Sequence, residues 1–132
     1  MRRDRAATLM AALMLAGSAL AGLVDARPSH AASAAVDIKD LAFGPATIQV
    51  AQGDTVTWTN SEDIMPHDVT SGAAGQPDMG QLFGSQILMP GQSFEATFSE
   101  PGEFVYLCKL HPAMTGVIIV LPSYRSSENV LD

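Results

Sequence analysis

The sequence predicts an all-β protein, a Greek-key β-sandwich of about eight strands. Short runs of residues alternate between apolar and polar side chains, as in half-buried strands. Many of the 11 glycines and eight prolines stand between these runs, where they favour turns. No amphipathic helix, internal repeat or second domain is evident after residue 31. The chain of 132 residues therefore predicts one small two-sheet domain, which we place at residues 32–121.

Residues 1–31 predict a bacterial export signal. Three arginines (Arg2, Arg3 and Arg5) precede an apolar run at residues 6–24, and small residues suited to cleavage follow. Cleavage fits after any of three alanines: Ala26, Ala31 or Ala34. A retained membrane anchor is the competing interpretation, since the run approaches the length of a bilayer span. Its alanine and glycine content makes it only weakly hydrophobic on insertion scales, which favours a cleaved signal.

The predicted strands are residues 36–39, 47–50, 55–59, 69–70, 84–88, 93–98, 104–108 and 117–120. In the third, Val56 and Trp58 face inward between outward-facing threonines, so we expect Trp58 in the core. The last strand is a continuous apolar run, which predicts burial on both faces. Residues 43–45 predict a break, residues 71–82 a loop, and residues 122–132 a polar tail.

Two Pro-Gly pairs, Pro90-Gly91 and Pro101-Gly102, predict type II turns on either side of the sixth strand. Proline presets the first central residue of such a turn, and glycine accepts the positive φ of the second.

Charge excludes one class of partner. Residues 32–132 contain three basic and twelve acidic side chains, a net charge of −9 with neutral histidines. A surface this acidic is unsuited to nucleic acid. The acidic residues fit two interpretations, solubility of a small domain or steering of a basic redox partner.

The segment GEFVYLCKLHPAMTGVIIV at residues 102–120 predicts a metal site on a turn between two strands. Cys108, His111 and Met114 follow one another at intervals of three residues, and Pro112 disfavours a helix there. Cys108 is the single cysteine, so it forms no internal disulfide and is a candidate ligand. Thiolate, imidazole and thioether form a soft donor set, which favours copper over calcium, magnesium or structural zinc.

A trigonal copper site with two histidines and one cysteine requires a second imidazole. The chain has three histidines, and His30 lies in the predicted export signal. This leaves His67, in the segment MPHDVTS, as the second imidazole ligand.

These motifs, F-x-Y-x-C-x-x-H-x-x-M together with GDTVTWTN and PHDVTS, resemble those of the cupredoxins. The resemblance extends over roughly residues 36–121, and the C-x-x-H-x-x-M spacing is most similar to that of amicyanin and plastocyanin. It implies that His67, Cys108, His111 and Met114 bind one type 1 copper ion. It also implies a protein that carries single electrons. With the predicted export signal, we expect a periplasmic electron carrier that is not an enzyme.

The resemblance further implies transient docking of a redox donor and a redox acceptor near His111. An apolar collar would surround that histidine (Pro66, Leu110, Pro112 and Ala113). We expect a monomer, in contact with a membrane only if the leader is retained as an anchor.

Two departures from the family pattern carry a hypothesis. Asp68 stands where the resembling proteins usually have asparagine, and Lys109 stands where they often have threonine or serine. An Asp68–Lys109 ion pair would then tie the two ligand loops together. Two independent solvated charges are the other interpretation.

The alternative function is a periplasmic copper chaperone or storage protein, which would use the same fold to handle copper rather than electrons. An enzyme is disfavoured, since a catalytic copper centre needs further histidines and none remain. Cys108 and His111 also lack any evident oxyanion motif for hydrolysis.

Overall fold

The computed structural model describes residues 31–123 of the chain. The predicted export signal and the polar tail, apart from residues 31, 122 and 123, lie outside the described residues. Within the described range, no helix is long and apolar enough to span a bilayer. The strands are β1 (Ser33–Lys39), β2 (Ala42–Gly44), β3 (Thr47–Ala51), β4 (Thr55–Asn60), β5 (Thr70–Ser71), β6 (Ser93–Thr97), β7 (Gly102–Leu107) and β8 (Thr115–Leu121).

The strands form two four-stranded sheets, in the orders β2-β1-β4-β6 and β3-β8-β7-β5. Strands β1 and β4 are parallel, as are β3 and β8, and the other neighbours are antiparallel. The chain therefore crosses repeatedly from one sheet to the other, which confirms the predicted all-β sandwich. Strands β7 and β8 are antiparallel neighbours, so the loop that joins them lies at one end of the sandwich.

Two of the predicted strand assignments were wrong, although eight strands are found. Residues 84–88 make only two isolated bridges, Thr70 with Gly84 and His67 with Leu88, and so form no continuous strand. Residues 43 and 44, part of the break expected at residues 43–45, instead belong to strand β2, which pairs with residues 37–39 of β1. A tight turn folds this short segment back onto β1 as a hairpin. Three residues are too few to show the alternation of apolar and polar side chains that predicts a strand.

The turn from β1 to β2 has an unusual backbone. Its two residues, Asp40 and Leu41, have φ values of 54° and 56°. Positive φ at both central residues is what a type I′ hairpin turn requires, but asparagine and glycine normally supply it. A leucine in this conformation is strained, because its Cβ crowds the backbone.

Of the two predicted type II turns, one is confirmed. Gly91 has a φ of 84°, and the N–H of Gln92 donates to the carbonyl of Met89 across the Pro90-Gly91 pair at 2.9 Å. The second was wrong, because Gly102 has a φ of 150° and begins strand β7 instead of closing a turn.

The core between the sheets is aromatic. Trp58 is fully buried as predicted and contacts four aromatic side chains, from both sheets and from segments outside the strands: Phe83, Phe94, Phe98 and Tyr106. Strand β8 differs from the prediction of burial on both faces, since Val117 and Ile119 are only half-buried. Their sheet is therefore covered by the core on one face only.

Tyr106 on β7 lies directly against Gly116 on β8, its partner across the sheet. A Cβ atom at position 116 would overlap the tyrosine ring, so only glycine fits there. Burial raises the pKa of Tyr106 to about 12, and the neighbouring Trp58 indole N–H offsets part of that rise. Neither the Tyr106 hydroxyl nor Trp58 Nε1 has a well-aligned hydrogen-bond partner among the described residues.

Candidate metal centre

Two consecutive turns shape the loop between β7 and β8. The N–H of His111 donates to the carbonyl of Cys108 at 3.2 Å, and the N–H of Met114 donates to the carbonyl of His111 at 2.8 Å. The N–H of Cys108 then donates to the carbonyl of Met114 at 3.1 Å and closes the loop. Each spacing of three residues therefore corresponds to one main-chain turn, as the sequence predicted for a compact loop.

A different set of contacts holds His67. Its N–H donates to the carbonyl of Leu88 at 3.1 Å, and its carbonyl accepts from the N–H of Leu88 at 2.7 Å. The amide of the buried Asn60 side chain donates to the carbonyls of Met65 and Leu88, both at 2.8 Å. The position of His67 is therefore set by strand β4 and the segment around Leu88, both distant in sequence.

The structure brings His67, Cys108 and His111 together. The sulfur of Cys108 lies 3.8 Å from Nδ1 of each histidine, and the two Nδ1 atoms are 3.2 Å apart. A triangle with these sides has its centre about 2.1 Å from each atom, close to the roughly 2.0–2.3 Å of metal bonds to imidazole and thiolate. The three donors therefore fit one metal ion. Cys108 and His67 are fully buried, and His111 is half-buried.

Met114, the fourth predicted site residue, is buried in the same hydrophobic cluster as Cys108. Its main chain bonds to both Cys108 and His111, which places it on the same compact loop. Among residues 31–123, no carboxylate, further thiol or further imidazole joins the three clustered donors. A trigonal site of this kind with a nearby thioether suits copper, whereas a closed zinc site uses four strong ligands.

Asp68 connects the two loops. Its carboxylate Oδ1 accepts the N–H of Lys109 at 2.7 Å, and its Oδ2 lies 3.6 Å from Lys109 Nζ, which confirms the predicted ion pair. The main-chain bond is the stronger tie, because the carboxylate is buried while the lysine side chain is half exposed. The N–H of Asp68 also donates to the sulfur of Cys108 at 3.4 Å, a second contact between the two loops.

The surface around His111 is apolar. Leu110 is 43% exposed, Pro112 and Ala113 are exposed, and Pro66 is half-buried. His111 thus is the one clustered donor residue whose side chain reaches this surface.

Sequence reasoning did not identify Glu62. Its Oε1 lies 3.4 Å from Nε2 of His67, the ring nitrogen that faces away from the other donors. No spacing rule marks this residue, because the contact depends on how the loop from Asn60 to His67 folds.

Comparison with known proteins shows the family. Residues 30–121 match the sequence profile of "Copper binding proteins, plastocyanin/azurin family". The chloroplastic plastocyanin of Tetradesmus obliquus is 34% identical over 128 residues, covering 86% of this chain and 83% of that protein. Amicyanin-alpha of Methylorubrum extorquens is 31% identical over 123 residues, covering 91% of this chain and 99% of the relative.

A solved purple cupredoxin from Nitrosopumilus maritimus has the same fold, with a TM-score of 0.60 and 31% identity. The match covers 67% of this chain and 99% of that structure. Family profile, relatives, fold and clustered donors agree, and the chain is therefore a member of the plastocyanin/azurin family of copper-binding proteins, the cupredoxins.

Proposed function

We propose that this protein carries single electrons between redox partners, with one type 1 copper ion held by His67, Cys108, His111 and Met114. The observation that carries the proposal is the triangle of two Nδ1 atoms and one sulfur, with sides of 3.8, 3.8 and 3.2 Å. When bound at these residues, copper would supply one-electron chemistry through its Cu(II)/Cu(I) couple.

The protein's own residues keep the site in one geometry in both states. His67 is fixed through its main-chain pair with Leu88, and the other three residues through the turns of their loop. Asp68 ties the two loops and donates its N–H to the Cys108 sulfur. Because these contacts do not depend on the oxidation state of the metal, little reorganisation accompanies each electron.

His111 and its apolar collar are the proposed point of electron exchange. The collar (Pro66, Leu110, Pro112 and Ala113) is small, which suits a brief encounter with a redox protein. The acidic residues beyond it would steer a basic partner or simply maintain solubility. The proposal needs one copy of the chain, since all four ligands come from it.

The cellular setting is also part of the proposal. Residues 1–31 would direct export to the periplasm by the general or the twin-arginine route, residues 32–121 would be the copper domain, and residues 122–132 a polar tail. Contact with a membrane would follow only if the leader were retained.

We propose a carrier and not an enzyme, because two of the chain's three histidines and its single cysteine are used at this one site. Copper storage or delivery is the second candidate. Three methionines of the predicted copper domain that are not in the ligand set (Met65, Met79 and Met89) are the observation that favours it, as thioethers bind Cu(I).

Reconstitution tests the proposal. The chain from residue 32 is given one equivalent of Cu(II), and its visible absorption and electron paramagnetic resonance spectra are recorded. An intense blue band with narrow copper hyperfine splitting is expected from thiolate coordination by Cys108. Cys108→Ser should abolish the band, whereas Met114→Leu should retain it and change the reduction potential. A pale protein that reduces the metal and retains it as Cu(I) would support copper handling instead.

A further inference from the structure

The second ring nitrogen of His67, Nε2, does not face the other two donors of the metal centre. Nδ1 faces Cys108 and His111, so Nε2 points in the opposite direction, into the protein. This nitrogen is fully buried, and no residue in the described part of the chain gives it a well-aligned hydrogen bond. Oε1 of Glu62 lies 3.4 Å from this nitrogen, within ion-pair distance but longer than an ordinary hydrogen bond.

Glu62 is held in place from two sides. The N–H of Leu41 donates to the same Oε1 atom at 3.1 Å, and the N–H of Glu62 itself donates to Oδ1 of Asn60 at 3.0 Å. The Glu62 side chain is only 15% exposed, and among the ion pairs of residues 31–123 its one partner is His67. A carboxylate largely removed from water and without a lysine or arginine is unfavourable unless other donors reach it.

The strained turn between β1 and β2 supplies one of those donors. Leu41 adopts a φ of 56°, in a region that residues with a Cβ seldom occupy. Its N–H donates a hydrogen bond to Glu62, which lies 21 positions farther along the chain. Backbone strain of this kind persists where the surrounding structure fixes it, and here it aims a main-chain donor at the carboxylate.

We propose that Glu62 is a positioning residue for the copper centre, oriented by the Leu41 N–H and acting through Nε2 of His67. By accepting a hydrogen bond from the Nε2–H group, Glu62 fixes the tautomer whose Nδ1 lone pair faces the metal. Its negative charge makes the imidazole a stronger donor, which favours Cu(II) over Cu(I) and lowers the reduction potential. The inference rests on the proposed function, in which His67 is a copper ligand.

The test compares Glu62→Gln with Asp63→Asn by voltammetry of the copper-loaded protein. Both variants remove one negative charge from adjacent positions, but Asp63 is exposed and does not contact His67. Loss of the Glu62 charge should weaken Cu(II) binding relative to Cu(I) about tenfold, which raises the one-electron potential by about 59 mV. The Asp63→Asn shift should be much smaller, since water and salt screen an exposed charge.

A second measurement follows the proton itself. In the diamagnetic Cu(I) protein, the Nε2 proton of His67 should give a slowly exchanging, downfield nuclear magnetic resonance signal. In Glu62→Gln the signal should move upfield, because a neutral amide is the weaker acceptor. Asp63→Asn should leave it in place.

Outcomes separate this inference from the proposed function. If the wild-type protein shows no type 1 spectrum, the proposed function falls and the inference with it. If both variants are blue and their potentials shift equally, or if Glu62→Gln leaves both the potential and the Nε2 proton unchanged, the inference alone is overturned.

Discussion

The two ligand loops reach the same site by different means. The loop from Cys108 to Met114 contributes three proposed ligands within seven residues and is shaped by turns inside itself. The loop that ends at His67 contributes one proposed ligand, and its contacts come from Asn60, Leu88 and Glu62. A local motif can therefore specify most of a metal site, while the last ligand depends on the whole sandwich.

The largest expected effect comes from disturbing the hairpin beneath the three-ligand loop. Gly116→Ala should destabilise the protein by roughly 3 kcal/mol, because the added methyl group overlaps the Tyr106 ring. Urea unfolding of the metal-free protein measures the change. Gly84→Ala is the matched control, since its Cβ would approach nothing closer than 4.0 Å. Equal stability of the two variants would show that Tyr106 can move aside.

The same hairpin should weaken at alkaline pH. Tyr106 has its pKa raised to about 12 by burial, so the unfolded chain loses this proton near pH 10 while the folded chain retains it. Stability from this group is complete below pH 10 and decreases by roughly 2–3 kcal/mol as the pH rises to 12. Tyr106→Phe should remove that part of the decrease in unfolding experiments on the metal-free protein. An unchanged slope between pH 10 and 12 would assign the decrease to other groups.

Replacing one histidine in each loop tests the comparison directly. His67→Ala should cost the metal-free protein about 2 kcal/mol, because it empties a fully buried position. His111→Ala should cost less than about 1 kcal/mol, because that side chain is half-buried at the surface. Both variants should lose the type 1 spectrum on adding Cu(II). Equal stabilities of the two variants would show that His67 is no more tightly packed into the sandwich than His111 is.

The smallest expected effect is the coupling between the Asp68 and Lys109 side chains, which lie where the two loops are tied together. Asp68→Ala should cost about 1–2 kcal/mol through loss of the main-chain bond from Lys109. The ion pair itself should contribute little, because the Lys109 side chain is half exposed. A double-mutant cycle with Asp68→Asn and Lys109→Ala should therefore give a coupling free energy below about 0.5 kcal/mol. A coupling several times larger would make the side-chain pair the main tie.

The sequence reveals the parts of this molecule that have a local cause. The donor spacing of Cys108, His111 and Met114 and the alternation around Trp58 predicted the metal loop and the core. His67 followed by elimination, since only three histidines are present. Strand β2 could not be predicted, because it depends on the Asp40-Leu41 turn, whose conformation these residue types do not favour. The contact of Glu62 with His67 could not be predicted either, because it depends on how the loop from Asn60 to His67 folds.

The unequal burial of the ligands also governs how the protein would acquire its metal. His67, Cys108 and Met114 are closed off from solvent, and His111 is the one predicted ligand at the surface. The short way in for an incoming ion passes His111, so the rate of loading would depend on brief displacements of the loop around Leu110 and Pro112. The apolar collar proposed as the docking surface for redox partners would then also be the route by which copper reaches the site. A partner bound there would slow the exchange of metal.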